Sequence, residues 1–212
     1  MKTTFASVLG LGLMCVAIGA DAGKDELQAI FNGKDLTGWK VPAENPWWKV
    51  VEGVLVGEND EKLKGNVLYT EKSYTDVIFE TDVRWSGEID SGIYLRKAKA
   101  PAKGEVQVQI GVSRSLKKDM TCSLYIHGKY PDYAQAKNTE KLLKANDWNT
   151  MRVQAIGAKY TLWLNGEKVM ECEDPAFPNA GPIGVQIHGG LKMKVEFRNM
   201  KVKDLGEGAD KK

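Results

Sequence analysis

The sequence predicts an all-β fold of two packed antiparallel sheets, on three observations. About ten short segments alternate apolar and polar residues with a period of two. Gly, Asn, Asp and Pro separate them at short intervals, and no repeat of fixed length points to a propeller or solenoid. The one stretch with helical spacing, Ala134 to Lys144, is short. Two facing sheets bury one side of every such strand. A chain of 212 residues, 42% of them hydrophobic, can hold that core in a single domain.

Taken in order, the chain opens with Met1-Lys2, a nearly charge-free run from Phe5 to Ala20, and then Ala20-Asp21-Ala22, the small-x-small pattern of a cleavage site. Residues 1–22 are expected to be a signal peptide cut after Ala22, residues 23–205 the domain, and 206–212 a polar tail. The mature chain would then be secreted or periplasmic. Its apolar runs fall short of the roughly 20 residues of a spanning helix, so no membrane span is expected in it. Cleavage would remove Cys15 and leave Cys122 and Cys172. These could form one disulfide in an oxidising compartment or stay two ordinary buried thiols.

Trp48 to Val56 reads as a hairpin turning at Glu52-Gly53. Asp76 to Trp85 puts Val77, Phe79, Val83 and Trp85 on one face and Glu80, Asp82 and Arg84 on the other. Further strands are expected at 92–96, 105–110, 149–156, 160–164, 167–171, 183–188 and 194–202. Asn165-Gly166 is the strongest turn signal, because a type I′ hairpin needs positive φ at both central residues.

Thirty Lys+Arg against 28 Asp+Glu leave a net charge of +2, far from the basic excess of a nucleic-acid binder, so no nucleic-acid partner is expected. The chain has no Gly-x-Ser-x-Gly elbow, phosphate-cradling loop or His-Glu-x-x-His motif, and no cofactor is expected. His127 and His188 are the only histidines, too few with two cysteines at unrelated spacings for a structural zinc site. A calcium held by carboxylates stays open.

Alternation on three strands leaves one set of polar side chains facing away from the core: Tyr94 and Arg96, then Glu105, Gln107 and Gln109, then Gln186 and His188. They offer hydrogen-bonding groups suited to sugar hydroxyls and to proton transfer. A plain solvated sheet face is the competing account, although amides and an imidazole here take the place of the usual Lys, Glu and Thr. His127 reads as a loop histidine without a role. Trp39, Trp47, Trp48 and Trp85 could stack on sugar rings, but tryptophans beside Gly and Val in short strands usually belong to a core.

The run Ile30-Phe31-Asn32-Gly33-Lys34-Asp35-Leu36-Thr37-Gly38-Trp39 and the segment Asp90-Ser91-Gly92-Ile93-Tyr94-Leu95-Arg96 are distinctive. With Asp147-Trp148-Asn149, Trp163-Leu164-Asn165-Gly166, Ile183 to His188 and Phe197-Arg198-Asn199, they make the chain resemble the 3-keto-disaccharide hydrolase family over nearly all of its mature length. The resemblance implies a concanavalin A-like jelly roll, common among exported bacterial proteins. It also implies a carbohydrate partner, a glycoside already oxidised to a ketone at sugar carbon 3. For such a substrate His188 is the leading base or acid, since imidazole ordinarily titrates near 6.5, and Arg96 would clamp the enolate or a hydroxyl. Tyr94, Gln107, Gln109 and Gln186 would hold the sugar.

One departure bears on activity. Relatives commonly show Glu-x-Gln-Ile where this chain has Gln107-Val108-Gln109-Ile110, so an amide stands in place of a carboxylate. Glu105, two residues earlier on the same face, is the candidate substitute. The alternative to an enzyme is a non-catalytic carbohydrate-binding module of the same fold.

Overall fold

The computed structural model describes residues 26–100 and 102–206. The expected signal peptide and its cleavage site, Cys15 and the tail beyond Gly206 lie outside these residues. The first strands are β1 (Gln28–Ala29), β2 (Trp39–Lys40), β3 (Trp48–Val51), β4 (Val54–Glu58), β5 (Asn66–Tyr74) and β6 (Asp76–Trp85). Then come β7 (Asp90–Lys97), β8 (Glu105–Ser113), β9 (Lys118–Asp119) and β10 (Leu124–Tyr125). A 3-10 turn at Asp132–Ala134 and the short helix α1 (Thr139–Leu142) precede β11 (Asn149–Ile156), β12 (Lys159–Leu164), β13 (Glu167–Glu173), β14 (Gly181–Ile187) and β15 (Lys194–Gly206). The end of the turn and α1 are the helical parts of the stretch whose spacing looked helical, and its other residues are irregular.

The strands form two antiparallel sheets. One runs β13-β12-β11-β6-β15-β4-β3 with β1 on β15, and the other runs β10-β8-β7-β14-β5-β2 with β9 on β8. This is the two-sheet sandwich that the alternation implied, and it has the jelly-roll form that the resemblance implied. Leu55, Phe79, Val83, Leu162, Val195 and Phe197 from the first sheet meet Leu68, Ile93, Val106, Val108, Ile110, Val185 and Ile187 from the second, all buried. Trp39 and Trp48 belong to that core as well.

Both predicted turns form as their residues require. Glu52 and Gly53 have φ of 49° and 81°, and Asn165 and Gly166 have 51° and 89°. Positive φ at both central positions matches the right-handed twist of the flanking strands. The two-residue strands β1, β2, β9 and β10 were not expected, and the one longer strand missing from the expected set is β5. Its alternation stops at Glu71-Lys72-Ser73, three consecutive exposed residues, so only part of it carries the period of two.

Cys122 and Cys172 are free, buried thiols, not a disulfide. Burial pushes the Cys172 thiol up to about 11 and Cys122 higher still, which leaves both protonated and inert at neutral pH. No described helix is long and apolar enough to cross a membrane.

Candidate functional site

The central strands β8, β7 and β14 lie side by side, with Gln107 opposite Tyr94 and Tyr94 opposite Gly184. Their outward side chains line a cleft of about 560 Å³ that holds Asp90, Tyr94, Gln107, Gln109, Gln186 and His188. Five of the seven polar residues expected on this face therefore come together. Glycine makes their close arrangement feasible, since a Cβ on Gly92 would stand 2.6 Å from the amide nitrogen of Gln107. The Gln107 side chain lies across β7 through that gap.

A continuous set of hydrogen bonds orients the amides. Tyr130 Oη donates to Gln109 Oε1 at 2.7 Å, and Gln109 Nε2 donates to Asp90 Oδ1 at 2.9 Å. Gln107 Nε2 donates to Gln109 Oε1 at 3.1 Å and to Gln186 Oε1 at 3.3 Å, while Gln186 Nε2 donates to Tyr94 Oη at 2.9 Å. Gln109 is fully buried, so every bond it makes is shielded from water. Burial, with the charges of Glu105 and Asp90, pushes the Tyr94 phenol up to about 12, and burial raises Tyr130 further. Both phenols stay neutral hydroxyls at neutral pH.

His188 follows directly after β14. Its Nδ1 donates to the Gly189 carbonyl at 2.7 Å, and a carbonyl can only accept. In the neutral ring this leaves the Nε2 lone pair bare, and Nε2 has no partner among the described residues. Arg114 Nη1 donates to the same carbonyl at 3.1 Å, while its backbone N–H donates to Asp90 Oδ2 at 3.3 Å. One carbonyl thus holds an imidazole and a guanidinium together at one end of the cleft.

Two expected members of the face lie elsewhere. Alternation put Arg96 outward, yet the register of β7 against β8 shifts between Leu95 and Lys97, and Arg96 has φ of 47°. This bulge turns its side chain into the interior, where it is 1% exposed. Arg96 Nη2 donates to Asp76 Oδ1 at 2.6 Å and Nε to the Thr75 carbonyl at 2.6 Å, while Nη1 donates to the Gly157 carbonyl. It cannot serve as an enolate clamp from that position. Glu105 stays outward but flanks the cleft, accepting from Tyr69 Oη at 2.7 Å. Its carboxylate reaches the cleft only through its field on Tyr94.

Asp90, Ser113, Arg114, Ser115, Tyr125 and Tyr130 complete the lining and were not singled out from the sequence. Asp90 shares the parity of Gly92 and Tyr94 along β7, a signal available in the sequence. Ser113 follows Gln107 and Gln109 because β8 continues beyond Ile110. Tyr125 faces Gln107 across a two-residue strand too short to show alternation. The second histidine is outside this cleft: His127 Nε2 donates to Asp174 Oδ2 at 2.7 Å, and Tyr133 Oη donates to the same oxygen at 2.8 Å. No group of three or more His, Cys, Asp or Glu among the described residues could hold a metal ion.

Residues 26–203 match the 3-keto-alpha-glucoside-1,2-lyase-like domain. The chain belongs to this family. No curated protein matches it. Among solved structures, a protein from Parabacteroides distasonis provisionally described as a glycosyl hydrolase shares 24% identity and a TM-score of 0.63, over 84% of this chain and 94% of that one. A carbohydrate-binding module from Bacillus subtilis shares 17% identity and a TM-score of 0.57, over 79% and 96%. A galectin-like protein from the same species shares 13% identity and a TM-score of 0.58, over 84% and 94%. At such identities the likeness shows the fold alone, a jelly roll on which the lyase-like family builds its carbohydrate-related domain.

Proposed function

We propose that this protein cleaves glycosides whose sugar carries a ketone at carbon 3, and that the cleft on β7, β8 and β14 is where it does so. The observation that carries this reading is His188, held through Nδ1 on the Gly189 carbonyl with Nε2 free to accept a proton. The ketone acidifies the hydrogen on carbon 2. His188 Nε2 takes that proton, and the electron pair moves onto the carbon 3 oxygen. The enolate then returns its electrons to form a double bond between carbons 1 and 2, the bond from carbon 1 to the glycosidic oxygen breaks, and that oxygen takes up a proton. Water adds its hydroxyl to carbon 1 and a proton to carbon 2, and the net change is hydrolysis.

Arg114 takes the role that Arg96 cannot fill. Its guanidinium lies next to the imidazole and would neutralise the developing enolate oxygen. The neutral Tyr94 phenol, which accepts from Gln186 and keeps its own proton, is placed to donate to oxygen, while Tyr130 and the buried Gln109 hold Gln107, and Gln107 and Gln186 present preset amide dipoles to sugar hydroxyls. The substrate would be met outside the cytoplasm, with residues 1–22 acting as an export signal and the mature chain secreted or periplasmic.

Gln107 favours a second reading, a carbohydrate-binding module without turnover. Its amide is tied to Gln109 and Gln186 and cannot act as a base. Purified protein incubated with a 3-keto-disaccharide and with its unoxidised parent separates the two. Release of the keto-sugar from the oxidised substrate alone, lost by a factor of about 10² to 10⁴ in His188→Ala, is the expected result. Saturable binding with no release would leave the module.

A further inference from the structure

A second cleft, of about 700 Å³, opens on the other side of the segment that walls the first, and the two share no lining residue. The wall is thin. Gln109, whose side chain faces the first cleft, pairs through its backbone with Cys122 and Ser123, and the Ser123 hydroxyl lines the second. Trp85 forms the aromatic side of this second cleft. It is the last core-facing position of β6, before Gly87 turns the chain at φ of +73°.

The other five tryptophans are committed. Trp39 and Trp48 are buried in the core, and Trp48 Nε1 donates to Asn66 at 2.8 Å. Trp47 Nε1 donates to the Lys64 carbonyl at 3.0 Å. Trp148 carries the guanidinium groups of Arg84 and Arg198 at 4.5 and 4.0 Å, and Trp163 carries that of Arg152 at 5.8 Å. Trp85 is half-buried, and among the described residues neither a hydrogen-bond partner nor a cation occupies its ring. Met120 and Leu143 extend its apolar surface, and the exposed side chains of Lys118, Glu140 and Asn146 stand at the rim without partners among the described residues.

We infer that this cleft is a second carbohydrate site, which takes a pyranose ring of an oligosaccharide or polysaccharide chain. One free indole accepts the apolar C–H face of a pyranose, while an ammonium, a carboxylate and an amide around it suit hydroxyls that both donate and accept. A peptide helix or apolar partner would leave those rim charges unmatched. Two sugar contacts on one domain make the second an intramolecular event, so the site holds the protein on the glycan whose end enters the first cleft, whether that end is cleaved or only bound. This inference does not depend on turnover in the first cleft.

The test uses calorimetric titration of maltoheptaose and of cellohexaose into the purified protein, Trp85→Ala, Trp85→Phe, Glu140→Ala and His188→Ala. Saturable binding of at least one oligosaccharide is expected, weakened about tenfold or more in Trp85→Ala, partly restored in Trp85→Phe and retained in His188→Ala. Glu140 is exposed and makes no hydrogen bond or ion pair among the described residues, so Glu140→Ala should weaken binding without loss of fold, which separates loss of the site from loss of structure. Absence of saturable binding by both oligosaccharides, or binding that His188→Ala abolishes and Trp85→Ala leaves intact, overturns the inference.

Discussion

Two buried polar clusters flank the strand β7, and they are built on opposite terms. At its end, Arg96 and Asp76 are both about fully buried, a charged pair whose valences are closed by Thr75, Gly157 and Tyr160. At its middle, the amides and phenol of Gln107, Gln109, Gln186 and Tyr94, anchored on the Asp90 carboxylate, form a cluster whose outer valences face a cleft. A desolvated charge is tolerated only with full partnership, so the first cluster can only hold structure. Neutral amides and phenols tolerate an open side, so the second can exchange water for a ligand. The two histidines divide along the same line. His127 is closed on the Asp174 carboxylate, and His188 is open at Nε2.

The largest effect is expected where the charges are closed. Arg96→Leu leaves Asp76 buried without its cation, and should cost about 3–5 kcal/mol of unfolding free energy in urea titration. His188→Ala should stay within about 0.5 kcal/mol of the parent in the same titration while losing turnover. If Arg96→Leu unfolds like the parent, the closed cluster is not a structural knot and the contrast fails.

A smaller effect, on the open cluster, separates the enzyme from the binding module. Gln107→Glu puts a carboxylate beside Gln109 and Gln186 and removes two donated hydrogen bonds, at a cost of about 1 kcal/mol in stability. Turnover of the 3-keto-disaccharide should rise in this variant, by about tenfold if the barrier falls by about 1.4 kcal/mol. A fall in turnover would mean that the amide itself is what the cleft requires.

Most of the sandwich was legible because its strands keep alternation, as β11 does from end to end and β6 does over its second half. Five of the seven expected face residues reach one cleft for the same reason. Arg96 was misplaced because a bulge is a one-residue event that leaves no trace in periodicity, and its only local mark is a positive φ that a non-glycine residue adopts at some strain. Arg114 and Tyr130 escaped notice because they lie in links, where position depends on which strands are neighbours and not on spacing. Trp85 was among the tryptophans weighed for sugar stacking. What sets it apart from Trp48 is the open space beside it, which only the packing reveals.

The smallest effect tests the closed histidine. Burial alone would raise the Asp174 carboxyl, but the Ala176 N–H, the Tyr133 hydroxyl and His127 outweigh it and hold it below the usual carboxylate range. A depressed folded-state value means that the ionised form binds its partners, so this stability is complete above the unfolded value of about 3.9 and is lost as pH falls through the folded one. Asp174→Asn keeps one acceptor oxygen and should therefore cost about 0.5–1 kcal/mol at pH 7 and progressively less below pH of about 4, as the wild-type carboxyl gains its proton. Urea titrations of both proteins at neutral and acid pH check the sign. A gap that widens on acidification would mean that Asp174 is stabilised as the acid, and the cluster would then be closed by something other than charge.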